Sequence, residues 1–183
     1  MNVPIWVSAW ELECCQPDAT VGEPWVASVV GLKPADPWWA EHAPEPVPDE
    51  VRKLGVVDLE GTAASVTLHE RSAIVDLGGV RVIVPGVRSS GQVSVNGRLW
   101  LDAHEHPEYQ GAEGLQWRGV VTRIRGIRLI YQPVTVYLAI PVRQEEPVDL
   151  RSTSDRRDPA MADRGFSEFL IELETNPMPD ASI

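Results

Sequence analysis

Residues able to do chemistry gather at two places in this 183-residue chain. The first is Asp102-Ala103-His104-Glu105-His106, which holds two of the four histidines. On a strand, side chains alternate between faces, so Asp102, His104 and His106 would share one face. The second is Cys14-Cys15, the only cysteines in the chain. Zinc takes thiolate and imidazole ligands in a tetrahedron. His104 and His106 could supply two ligands. Asp102 could be a third ligand, or the acceptor that fixes an imidazole tautomer. The metal candidates are therefore Cys14, Cys15, Asp102, His104 and His106, around one zinc. Adjacent cysteines point apart in an extended chain, so one thiol rather than both is expected to ligate. A catalytic zinc would also need an open position and a base, for which Glu105 and Glu108 stand near. The plainer alternative is a polar loop running into Pro107, with exposed histidines and thiols packed in the core. Cys15 as a nucleophile beside His104 or His106 is disfavoured, because Glu11, Glu13 and Asp18 oppose thiolate formation. No residue is nominated as catalytic.

Two further groups could contact a partner. Trp38-Trp39 lies among Pro34, Pro37, Pro44, Pro46 and Pro48, a density that denies a continuous helix. An exposed tryptophan pair is a natural anchor for a protein partner. Equally, it could lie as a lid over an open barrel end. Arg123, Arg125 and Arg128 stand beside Trp117 and Tyr131, an arrangement seen where barrels hold single-stranded nucleic acid. The net charge of −11 argues against that use. Paired acids from the flanks, or a docked acidic segment or partner, fit these arginines better.

The elements that must position these groups read as strands. Ile5 to Trp10, Trp25 to Leu32, Ala64 to Glu70, Ala73 to Leu77 and Val80 to Val84 are short runs rich in valine, isoleucine or tryptophan. Gly78-Gly79 suits a tight turn, and Asn96-Gly97 is a strong two-residue hairpin signal. From Gly119 to Tyr131 apolar residues alternate. A bulge at Arg125-Gly126 would let Ile124 and Ile127 face the same side. Val134 to Val142 continues the sheet. Phe166 to Glu174 fits a helical or a strand stripe, and the β context favours a strand docked at an edge. Helix is expected only as short turns near 35–41 and 48–54.

Charge is unevenly spread. Residues 1–60 carry a net −8, residues 61–143 a net +3, and residues 144–183 a net −6. No basic leader precedes an apolar run, and none approaches the length of a membrane span. A cytoplasmic location and reduced thiols are the expectation.

Three stretches together resemble a small family of uncharacterised proteins from high-GC bacteria. They are Trp6 to Cys15 with Val21-Gly22, the acidic, histidine-rich Asp102 to His106, and Gly119 to Ile124. Fourteen arginines against two lysines suit such a genome. The chain departs from the family's pattern at Pro17-Asp18, where a glycine turn is expected. The resemblance implies a domain of unknown function and nothing more specific.

The expected fold is all-β, with six to eight strands. It is a small closed or partly open barrel of OB or SH3 type, or a strongly bent sandwich, with a proline-rich insertion at 33–54. The barrel domain would cover 1–143, followed by a flexible charged segment (144–165), a C-terminal edge strand (166–175) and a tail (176–183). The leading function is a non-catalytic binding or assembly module acting through protein contacts. Its contact residues would be Trp38, Trp39, Arg123, Arg125 and Arg128. The alternative is a zinc-binding protein with metal-dependent hydrolysis open to it.

Overall fold

The computed structural model describes residues 2–28, 30–33, 35, 49–67, 72–77, 81–85, 91–101, 116–133, 139–158 and 165–175. Strands dominate: β1 (Asn2–Ser8), β2 (Pro24–Ala27), β3 (Val30–Lys33), β4 (Val56–Thr67), β5 (Ser72–Asp76), β6 (Arg81–Pro85), β7 (Gly91–Leu101), β8 (Trp117–Ile127), β9 (Leu129–Pro133), β10 (Ala139–Gln144), β11 (Val148–Leu150) and β12 (Glu168–Glu174). Two short helices, α1 (Ala9–Cys14) and α2 (Asp49–Lys53), interrupt them. Among the described residues no helix is long and apolar enough to cross a membrane.

The expected small barrel is present. Strands β7, β3, β6, β5 and β4 pair in that order, and β4 returns to β7 to close the ring. The β3–β6 pairing is parallel and the other four are antiparallel. The remaining strands continue outward from β7 in the order β1, β12, β8 and β11, with β2 also on β8. β9 and β10 form a separate pair. One cluster of buried residues joins the barrel interior (Val75, Val82, Val95, Leu99) to one face of the outer strands (Ile5, Phe169, Ile171, Ile124). A second, smaller cluster lies on the opposite face: Trp6, Ile127, Leu129 and Leu170, covered by Val51 and Leu54.

Several local readings change. Asn96-Gly97 is no turn: both residues lie inside β7, opposite Asp58 and Val57 of β4. Glycine is needed there because a Cβ on residue 97 would clash with the Lys33 carbonyl of β3. The bulge in β8 is not at Arg125-Gly126. Leu173 pairs with Val121 and Glu172 with Arg123, so Thr122 is the extra residue. Pairing beyond it is regular to Ile127. Ile124 and Ile127 therefore face opposite sides and enter different clusters. Gly126 instead admits Phe166 and Leu150, whose rings and methyls would touch any Cβ there. The C-terminal strand is no edge. β12 is paired on both sides, by β1 and by β8. Phe169, Leu170, Ile171 and Leu173 are buried on both of its faces, the pattern of an interior strand.

The charged stretch expected to be flexible is anchored over 148–158. After β11, Ser152 caps a 3₁₀ turn (Thr153–Arg157) in a reciprocal box with Asp155. Asp18 accepts hydrogen bonds from Thr153 at 3.0 Å and from Arg156 and Arg157. Those partners hold the Asp18 carboxyl below its usual range, against the desolvation that pushes it up. Asp18 thus anchors this segment against the start of the chain.

Arg98, at the point where β7 leaves β4, is 3% exposed. Its guanidinium donates to the carbonyls of Val51, Arg52 and Leu54 at 3.0–3.2 Å, and to that of Ala35. It also stands 5.4 Å above the Trp6 ring, which stacks on Trp100 at 5.6 Å. A cation here faces the negative end of α2 and satisfies carbonyls left open as the helix stops. Gly55 follows at φ 64, tight against Trp6 and Leu170. Replacing Arg98 with methionine should lower stability by about 3 kcal/mol in urea denaturation, because buried acceptors lose their donor. Lysine should recover part of that loss. A methionine variant of unchanged stability would show that Arg98 does not clamp α2.

Candidate functional site

The described chemistry converges where β1 hands over to α1. Sequence reading extended β1 to Trp10, but the strand ends at Ser8 and a helix follows. Ser8 is its N-cap, and its hydroxyl accepts from the Glu11 amide at 3.2 Å. Ser-x-x-Glu is a helix-start signature that competes with the apolar alternation of the strand. The helix buries Glu11 and Leu12 and leaves Trp10 57% exposed. At its end the Cys15 and Gln16 amides both donate to the Glu11 carbonyl at 2.9 Å.

Ser167 joins this helix to the sheet. Its carbonyl accepts from the Ala9 amide at 2.9 Å, and its amide donates to Ile127 at 3.0 Å. Its hydroxyl accepts from the Leu129 amide at 3.2 Å. The next residue, Glu168, opens β12 opposite Ser8 and Ile127. Glu168 is 9% exposed, and its Oε2 has no hydrogen-bond partner. Burial, then the charge of Glu11, pushes its carboxyl from an ordinary 4.5 up to about 8, while Lys33 opposes the rise. Desolvation and the Glu168 charge also raise the Tyr131 phenol. The corner therefore holds, at the start of β12, a buried carboxyl whose affinity for its proton is raised. Neither glutamate was nominated from sequence. The capping pattern at Ser8 and an acid inside the apolar run of β12 are the signals that mark them.

The nominated residues fare differently. Cys14 and Cys15 are exposed, not packed in the core, and no disulfide joins them. They do not point apart, because the chain there is a helix end and not an extended strand. The Cys15 thiol donates to the Cys14 sulfur at 2.6 Å. The Cys14 thiol is pushed up to about 11 by desolvation, then by its bond to Cys15 and by the Cys15 charge. Asp102, His104, His106, Trp38 and Trp39 lie outside the described residues, as do Glu105 and Glu108. Among the described residues no group of three or more His, Cys, Asp or Glu side chains could hold a metal ion.

The three arginines meet acids from β11, β12 and the β10–β11 connection. Arg123 grips Asp149 of β11 through two bonds, at 2.7 and 3.0 Å. That hydrogen bonding holds Asp149 below its usual range and raises Arg123. Arg125 pairs with Glu172 of β12 at 2.8 Å, both side chains about four-fifths buried. Arg128 reaches Glu145 at 3.5 Å. Each of these three arginines is thus paired with an acid of the same chain.

A pH dependence follows from Glu168. The folded state binds this proton more tightly than the unfolded chain, so its stabilising effect is complete below about pH 4.5 and is lost as pH rises through about 8. Each tenfold in proton affinity is about 1.4 kcal/mol. Glu168→Gln should match the parent near pH 4.5 and exceed it by a few kcal/mol at pH 9 in paired denaturation curves. A stability difference that stays constant across that range would refute the buried proton.

No curated protein and no solved structure matches this chain. The chain belongs to DUF6578, a family of unknown function, which matches it over residues 1–175.

Proposed function

We propose that this protein is a non-catalytic binding and assembly module that acts through protein contacts, with Trp10 as an anchor on its described surface. The observation that carries the reading is the exposure of Trp10. At 57% it is the most exposed large hydrophobic among the described residues. Among the other described tryptophans, Trp6, Trp25 and Trp117 are at most 4% exposed and Trp100 is half-buried. A tryptophan held outward by a capped helix offers contact area at little ordering cost, and such residues dominate binding energy at interfaces. The internal pairing of Arg123, Arg125 and Arg128 supports a protein partner over a nucleic acid, because phosphate binding draws on uncompensated positive charge. In this reading Trp38-Trp39 supplies a second contact.

The test is site-specific photocrosslinking in the native host. A photoreactive aromatic residue at position 10 should capture one discrete protein. Excess unmodified protein should compete with that capture and Trp10→Ala should not. The same probe at exposed Glu60, on the barrel wall, should capture nothing comparable. Trp10→Ala itself should change stability by no more than about 0.5 kcal/mol. Equal labelling from both positions, or none from position 10, would reject the assignment.

A second reading is one zinc held by Cys14 or Cys15 with Asp102, His104 and His106. Its support is that both thiols are exposed and converge on one side of the helix end. Protein purified under reducing conditions would then contain near-stoichiometric zinc, and His104→Ala with His106→Ala would lose it. Elemental analysis below a tenth of an equivalent would end this reading.

A further inference from the structure

We propose that Cys14 and Cys15 form a reversible dithiol site, which a small-molecule disulfide closes into a bond between the two neighbouring cysteines. The proposal stands on geometry and is independent of what Trp10 binds. Both side chains are exposed, so an oxidant reaches them. The sulfurs are 2.6 Å apart. A tetrahedral zinc with bonds of about 2.3 Å would need its two sulfurs about 3.8 Å apart, whereas a disulfide needs about 2.05 Å. The observed separation is closer to the bond than to the chelate.

The local backbone explains the convergence. Cys14 is the last helical residue, and Cys15 is the C-cap at φ −142, ψ −15. The chain has left the helix but has not extended, which brings successive side chains to one side. The Cys14 sulfur also lies 3.8 Å from the Glu11 carbonyl, the acceptor that holds the turn.

The step balances without any group from elsewhere in the protein. One of the two exposed cysteines, as its thiolate, attacks one sulfur of the small disulfide and expels the other half as a thiolate. A mixed disulfide on that cysteine results. The neighbouring thiol then gives up its proton, and its sulfur attacks the Sγ of the first cysteine and expels the second half. Two protein thiols are oxidised, one small disulfide is reduced to two thiols, and the two protons end on the departing sulfurs. Neighbouring Cα atoms are about 3.8 Å apart across a trans peptide, below the roughly 4.4 Å at which ordinary disulfides begin. A bridge made under that constraint is readily reduced, which makes the site reversible.

The test is oxidation of chelator-treated full-length protein with glutathione disulfide, followed by intact mass and maleimide labelling. The expected product is a monomer about 2 Da lighter, a loss of two hydrogens. It should take up no maleimide, where the reduced protein takes up two equivalents, and dithiothreitol should restore both. Cys14→Ser and Cys15→Ser should each stop at a glutathione adduct. A wild-type product that stays glutathionylated, forms a disulfide-linked dimer, or keeps two alkylatable thiols would overturn the proposal. Both substitutions are at exposed positions, so folding is not at stake. Chelation removes zinc as an alternative protector of the thiols.

Discussion

The fold depends on β7 serving three neighbours. Residues Gly91 to Arg98 pair with β4, Arg98 to Leu101 pair with β3, and Leu99 and Trp100 pair with β1. One strand therefore closes the barrel and starts the sheet that extends from it. The edge occupied by β4 passes to β1 at Arg98. A handover of this kind leaves a gap where two strands diverge, and backbone groups in a gap must still be satisfied. Arg98 fills it with a planar donor that reaches several carbonyls at once, which a point-like ammonium would not do. The indole of Trp6 covers one side of that guanidinium, and α2 ends on the other. The cost of burying a cation is met by carbonyl dipoles and an aromatic face.

The same extension builds the corner at α1. Because β12 lies between β1 and β8, the residue before it, Ser167, can bond to both neighbours. That single residue ties α1, β8 and β9 together. Glu168 is buried as a consequence: its position in register opposite Ser8 and Ile127 places it under the helix. Charge follows the same logic. The acidic C-terminal stretch is brought against part of the basic middle, so Arg123, Arg125 and Arg128 meet Asp149, Glu172 and Glu145. Three arginines that look in the sequence like a surface for a partner are paired within the molecule.

The all-β class was legible because alternating apolar residues are a local signal, and a strand imposes that period wherever it lies. Glycines were the least legible. The pair Asn96-Gly97 carries strong turn chemistry, yet the close approach of the β3 backbone at Lys33 decides its role, and that contact is between residues distant in sequence. Gly126 marked a place where something unusual happens to β8. It identified close packing by Phe166 and Leu150, while the extra residue sits four positions earlier at Thr122, which has no distinguishing composition. Helix α1 is too short for periodicity to announce, so only the Ser8 cap betrays it. The candidate site was half legible. Cysteines show by residue type, but their convergence depends on a helix end that the alternation concealed. Glu168 is invisible without knowing that β12 is covered on both faces.

Helix α1 has six residues, fewer than an isolated helix needs to persist in water. Its conformation is therefore borrowed from its surroundings: the Ser8 cap, the Ala9 bond to Ser167, the burial of Leu12, and the closing bonds to the Glu11 carbonyl. Trp10 and Cys14 are four residues apart, which puts them on one face of the helix, while Glu11 and Leu12 turn inward. The exposed indole and the thiol pair thus share a platform whose far end rests on a single carbonyl. A group that changes the geometry at Cys14 and Cys15 acts on the bonds that define the last turn, and through them on the helix that presents Trp10. The inward side of that helix faces a buried carboxyl whose charge depends on pH. Both faces of α1 carry chemistry, and the sheet around Ser167 holds the two in register.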